Sequence, residues 1–202
     1  MILGTFLAIV RMSGGRILAA VAAGYVNLVR ALPAVLVIFW FYFLVPYLGQ
    51  WLTGSARPIQ VGGFASGLIT FTVFEAAYFS EIMRAGIASI PRGQFAAGTA
   101  LGLTPLQVMR YVVLPQVFRI MLPVLLTQTI VLFQDTSLVY VLSITDFLGA
   151  ASKIAQRDGR LVEMYSFAAL VYFVLLFAAF QGVRRLRARV HGRRPASGGP
   201  PA

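Results

Sequence analysis

The feature that most constrains this chain is a series of apolar runs long enough to cross a membrane. They fall at residues 34–52, 64–83, 112–133 and 165–180, the last extended by Met164 and by Gln181-Gly182-Val183. A helix rises 1.5 Å per residue and a hydrocarbon core is about 30 Å thick, so ~20 apolar residues span it. Charged residues make up 11% of the 202 residues and hydrophobic ones 59%, whereas a soluble domain carries about 25% charged residues. Lipid is therefore the expected solvent, and helices are the elements that satisfy every backbone group within one segment. The expected fold class is all-α, a polytopic helical membrane protein.

The N-terminal part is shorter-grained. Residues 2–10 are apolar before Arg11, and nine helical residues reach only about 14 Å. They are expected to be the inner end of a first helix, with Met1 lying inside that helix because the assigned start is downstream of the true one; a genuinely shortened protein is the alternative. Residues 17–29 are apolar and Ala-rich, read as a short surface helix or a lead-in ending at Arg30. Pro33 lies near the start of the next helix, where its missing N–H costs little. In the third long run Arg119 and Pro123 are interruptions.

The net charge of +11 could suggest nucleic acid, but its placement points to lipid. Arg11, Arg16, Arg30, Arg84, Arg92, Arg110, Arg119 and the C-terminal arginines fall on one side of the spans; Arg57, Lys153, Arg157 and Arg160 fall on the other. The positive-inside rule puts the first group, and the C-terminus, in the cytoplasm. Residues 1–183 form the transmembrane domain in this reading, and residues 184–202 a basic, disordered cytoplasmic tail. Cysteine is absent and His191 is the single histidine, which removes disulfides and makes a metal site implausible.

Between two spans lies residues 92–115, RGQFAAGTALGLTPLQVMRYVVLP. It is weakly hydrophobic and holds three glycines and two prolines. Such a loop suits a compact surface helix that docks on a partner. Phe95, Leu101, Leu103 and Leu106 are candidate apolar anchors, and Gly98 and Gly102, four apart, share a face that permits close backbone approach. Thr104-Pro105 is a helix-start signal.

This stretch resembles the cytoplasmic loop of permease subunits of binding-protein-dependent ABC importers, in the polar amino acid group. Their hallmark reads E-A-A, three residues, Gly, nine residues, Ile, one residue, Leu-Pro. Ala96-Ala97-Gly98 stand in the E-A-A places, Gly102 is the glycine, Val112 the isoleucine and Leu114-Pro115 the end. Arg92-Gly93-Gln94 before it and Gln116 after it also look like the group; the departure is Ala96 in the acidic place. The resemblance covers about residues 4–181, and FEAAYFSE at 74–81 with FQDTSLVYVL at 133–142 look most like glutamate/aspartate permeases. It implies the type I (MetI-like) importer fold of about five helices, the first truncated here. It further implies an inner-membrane protein that translocates polar amino acids, glutamate/aspartate among them. The implied partners are ABC ATPase subunits, a second permease, a periplasmic solute-binding protein and the bilayer. The chain has no G-x-x-x-x-G-K-[ST], so ATP and Mg are expected on the ATPase, and no enzyme activity or cofactor in this chain.

Further residues stand out within the spans. Glu81 and Arg84, three apart, are expected to form a helix-end ion pair. Glu75 sits deeper, where an ionisable group is costly and should face the bundle interior or a water-filled path, with Tyr78 and Phe79 on its face. Gln134-Asp135-Thr136-Ser137 separate two apolar runs and suit a broken helix whose following N-terminus points at an anionic solute. Glu75, Tyr78 and residues 134–137 are thus the candidate pathway or gate. Arg119 is a candidate counter-charge for the carboxylates. A membrane scaffold, or a stand-alone channel or carrier that recruits a cytoplasmic partner, remains the alternative.

Overall fold

The computed structural model describes residues 1–59 and 61–191, all helical or in connecting turns. Eight helices follow one another: α1 (Ile2–Ser13), α2 (Arg16–Ala31), α3 (Ala34–Thr53), α4 (Gly63–Ala88), α5 (Arg92–Ala100), α6 (Pro105–Leu142), α7 (Phe147–Asp158) and α8 (Leu161–His191). By length and composition α3, α6 and α8 can cross a membrane. They hold much of the lipid-facing surface, with Trp51, Leu52, Leu170 and Phe173 exposed.

The bundle is built around α4, the least conspicuous span in hydropathy. Its start exposes Phe64, Leu68 and Ile69, but from Phe74 onward it is packed in protein and tolerates serine and glutamate where a lipid-facing helix would not. Phe74, Glu75, Ala76, Ala77, Phe79, Ser80 and Met83 of α4 are all buried. α1 lies against it so closely that a Cβ on Gly4 would stand 2.6 Å from Phe79 Cβ, and α6 presses on Gly86 through Val117 and Met121. Small residues let helix backbones approach in this way. One apolar cluster (Ala8, Phe79, Met83, Ile87, Val113, Val117) joins α1, α4 and α6. A second (Val26, Val29, Val37, Phe74, Ala77) joins α2, α3 and α4. The end of α2 is tied to α4 by Tyr25, whose hydroxyl donates to the Val73 carbonyl at 2.5 Å.

Prolines shape the long helices. α3 widens into a π turn at Trp40–Leu44 just before Pro46, and α6 does so at Val108–Val113 just before Pro115. A proline ring clashes with the carbonyl four residues back, and a wider turn relieves the clash. Pro33 caps α3 as its position implies. Pro123 and Arg119, read from the sequence as interruptions, leave α6 continuous. α7 starts at Asp146, whose Oδ1 accepts from Gly149 N at 2.7 Å, and stops at Gly159 with φ +69°.

Two differences from the sequence reading concern helix ends. The basic tail expected from Arg184 begins as helix: α8 carries Arg184, Arg185 and Arg187 on to His191, because Arg, Leu and Ala are strong helix formers. Residues 192–202 lie outside the described residues. The expected break at Gln134–Ser137 is not one. The α-helix tightens at Thr136–Leu142 into 3₁₀ geometry and runs on. Thr136 Oγ1 donates to Phe133 O at 2.6 Å and Ser137 Oγ to Gln134 O at 2.8 Å, so these hydroxyls bond back into the helix they were expected to interrupt. No free helix N-terminus is therefore aimed at a solute there.

Candidate functional site

The loop at residues 92–115 folds as two helix ends held by a defined turn. α5 closes in a Schellman motif: Leu103 N donates to Gly98 O at 3.2 Å and Gly102 N to Thr99 O at 2.9 Å. Gly102 sits at φ +78°, the left-handed region that glycine enters without penalty. Within this chain a Cβ built on Gly102 would meet nothing within 4 Å, so that face stays open, whereas a Cβ on Gly98 would stand 2.8 Å from Val108 Cγ2 and close approach there is between α5 and α6. Thr104 then opens α6 with a reciprocal capping box, Thr104 N donating to Gln107 Oε1 at 2.8 Å and Gln107 N to Thr104 Oγ1 at 3.4 Å. Gln116 Nε2 donates to Gln94 Oε1 at 3.2 Å and fastens α5 to α6 across the turn.

This turn sorts the four apolar residues into two pairs. Phe95 and Leu103 pack inward on the α1–α4–α6 cluster, whereas Leu101 and Leu106 are 80% and 76% exposed. The outward face is therefore Leu101, Leu106, Ala96, Ala97 and Gly102, with Arg92, Gly93 and Gln94 at one edge and exposed Arg110 and Pro115 beyond. Leu114 is half-buried. Arg110 lies over the Tyr111 ring at 5.5 Å.

Near this level Glu81 is the hub of three helices. Arg84, the partner expected from spacing, donates through Nε at 3.1 Å. Arg11 of α1 joins at 2.8 Å and Arg30 at the end of α2 at 3.8 Å. The carboxylate thus holds the ends of α1 and α2 to α4. Local spacing could not show the two long-range partners, although both arginines flank apolar runs on the side assigned to Arg84.

Glu75 lies deeper and is 5% exposed. Gln128 Nε2 of α6 donates to both its oxygens, at 3.3 and 3.1 Å. Gln128 escaped the sequence reading; the signal was Thr127-Gln128-Thr129, three polar residues in an otherwise apolar run. Glu75 also lines a cavity of about 520 Å³ walled by Phe71, Phe79, Leu132 and Thr136, and is the sole ionisable side chain among its described lining residues. The remaining candidates part company. Thr136 shares this cavity, but Gln134, Asp135 and Ser137 are not on its wall. Asp135 is half-buried. Tyr78 turns away: it packs with the α2–α3 cluster, stacks tilted on Phe74 at 5.2 Å and takes Arg30 over its ring at 5.5 Å. A residue three positions on is 300° round the helix, enough to change neighbours in a crowded bundle. Arg119 lies beside Pro115, Gln116 and Ile120, more than four turns before Asp135 along α6, and does not neutralise it. Among the described residues no group of three or more His, Cys, Asp or Glu could hold a metal ion.

Comparison with known proteins agrees with this architecture. Residues 1–192 match the family model for the binding-protein-dependent transport system inner membrane component. The glutamate/aspartate import permease protein GltK of Escherichia coli O6:H1 is 50% identical over 186 residues, covering 92% of this chain and 83% of that one. The arginine ABC transporter permease protein ArtQ of Haemophilus influenzae is 34% identical over 191 residues, covering 94% and 86%. The crystal structure of an amino acid ABC transporter with histidines superposes with a TM-score of 0.79 at 28% identity, over 93% of this chain and 84% of that one. The MetNI methionine ABC transporter in an inward-facing conformation shares the fold at a TM-score of 0.68 and 19% identity, with 93% and 84% covered. The chain belongs to the binding-protein-dependent transport system inner membrane components: it is an inner-membrane permease subunit of an ABC importer, a family that works with ATPase subunits, a paired permease and a periplasmic solute-binding protein.

Proposed function

We propose that this permease imports glutamate and aspartate, driven by ATP hydrolysed on its partner ATPase. The observation that carries the substrate class is the identity of half the aligned positions with a glutamate/aspartate permease, against about a third with an arginine permease. Residues 1–183 are the transmembrane domain in this reading and the basic C-terminal tail, from Arg184, is cytoplasmic, as the arginine distribution favours. The turn at 92–115 is the ATPase-docking element. Its outward face offers Leu101 and Leu106 with backbone and alanine methyls between them, and docks by helix-in-groove packing. With Ala96 in place of an acidic residue, docking rests on shape and apolar contact, and Arg92 and Arg110 lie at the rim.

Glu75, held by Gln128 at a cavity wall, and Thr136 are the pathway group, with Asp135 next to Thr136 on α6. A lone carboxylate would repel an acidic side chain, so its partner in passage is the substrate's α-ammonium group. Two experiments test the reading. Glutamate and aspartate, presented by the binding protein, are expected to stimulate ATP hydrolysis by the assembled importer, and arginine is not; stimulation by arginine alone would overturn the substrate class. Because the chain has no cysteine, Leu101→Cys and Leu106→Cys can be cross-linked to the ATPase without background. Cross-linking from Phe95→Cys but not from these two would refute the docking face.

A further inference from the structure

A groove between α6 and α8 is used by neither the docking turn nor the Glu75 cavity. It encloses about 400 Å³ and is walled by Ile120, Pro123, Val124 and Thr127 of α6 and by Phe180 and Val183 of α8; Arg184 and Arg187 complete its lining. Positions 120, 124 and 127, and positions 180, 183 and 187, recur at helical spacing, so each helix contributes one stripe. Apart from Thr127, whose hydroxyl bonds back to the Pro123 carbonyl, the walls are apolar up to Val183, and both arginines lie exposed where α8 leaves its apolar run. Arg119 is exposed beside the same end, in an adjoining depression that shares Ile120 with the groove.

We propose that this groove is an anionic phospholipid site, with an acyl chain between α6 and α8 and the headgroup phosphate on Arg184 and Arg187. The occupant follows from the two halves of the groove. An apolar slot between two membrane-spanning helices takes a hydrocarbon chain, and guanidinium groups at its mouth match phosphate oxygens with several charge-assisted hydrogen bonds. Basic pockets between membrane helices bind anionic headgroups on these grounds. A soluble anion would use the arginines but leave the slot bare.

Native mass spectrometry of the assembled importer, released from phosphatidylcholine nanodiscs containing phosphatidylglycerol as a minor component, tests the site. Phosphatidylglycerol is expected to be retained in preference to phosphatidylcholine. Arg184→Gln and Arg187→Gln should each lower its retention about fivefold, the factor that corresponds to roughly 1 kcal/mol per basic residue at an anionic surface. Arg185→Gln, adjacent but outside the groove, should leave it unchanged. Val124→Trp, which fills the slot and spares the arginines, should abolish retention. Equal loss in the Arg185 variant would show a general surface-charge effect and overturn the proposal. Equal retention of phosphatidylcholine would do the same, as would displacement by inorganic phosphate, or a bare groove in the assembled importer because the paired permease covers it. This readout needs neither ATP nor amino acid, so its failure is separable from failure of the import assignment.

Discussion

Replacing Gly98 by alanine tests how the proposed docking turn is held. A Cβ there would stand 2.8 Å from Val108 Cγ2, 3.1 Å from Cγ1 and 3.4 Å from Cβ. Ordinary carbon contacts begin near 3.5 Å, so α5 must retreat by about 0.7 Å or Val108 must move. Val108 has little room: it is 3% exposed, and a β-branched side chain in a helix keeps one rotamer. Overpacking of this kind costs about 1–3 kcal/mol, while alanine returns about 1 kcal/mol over glycine in helix propensity. The net strain, ~0–2 kcal/mol, falls on the turn that orients Leu101 and Leu106. ATPase affinity, titrated against the detergent-purified permease pair, is expected to fall by up to about thirtyfold, since 1.4 kcal/mol is one decade. Val108→Ala in the same chain removes the clashing methyls and should restore binding, although alone it costs about 1.6 kcal/mol for two buried methyls. A loss of affinity in Gly98→Ala that Val108→Ala does not restore would refute this account of the turn.

Four further outcomes follow from the same geometry. Thr104→Ala loses the capping box and should destabilise the start of α6 by about 1 kcal/mol, read as faster amide exchange at residues 104–108 with little change elsewhere. Arg11→Gln should lower the thermal midpoint more than Arg30→Gln, because Arg11 is 11% exposed at 2.8 Å from Glu81 and Arg30 is 39% exposed at 3.8 Å; the reverse order would mean that α1 is not pinned through Glu81. Gln128→Leu leaves the Glu75 carboxylate without its donor and should cost about 1–3 kcal/mol, whereas Asp135→Ala should slow uptake with assembly intact, both read by uptake alongside co-purification of the partner subunits.

How much of this was legible in the sequence depends on which solvent each residue faces. Lipid imposes its own grammar, so the apolar runs at 34–52 and 165–180 are visible without any structure, and Pro33, Thr104-Pro105 and the arginines mark where helices start and stop. Facing within the protein was not legible. Phe95 and Leu101 are equally apolar, and only the packing of α5 on Val108 and Val113 decides that one is core and the other surface. The tetrad at 134–137 looked like a break because its side chains compete for backbone bonds; here they do so by bonding one turn back, which tightens the helix and keeps it whole. Gln128 and the Arg11–Glu81 pair depend on contacts separated by 53 and 70 residues, beyond the reach of any local pattern.

The central claim is that this chain carries acidic amino acids only when its docking turn is engaged by the ATPase. Uptake of radiolabelled glutamate into proteoliposomes holding the importer tests it directly. Uptake should require ATP, the binding protein and the ATPase together, and should be competed by aspartate but not by arginine. Glutamate flux through this permease without the ATPase would contradict it.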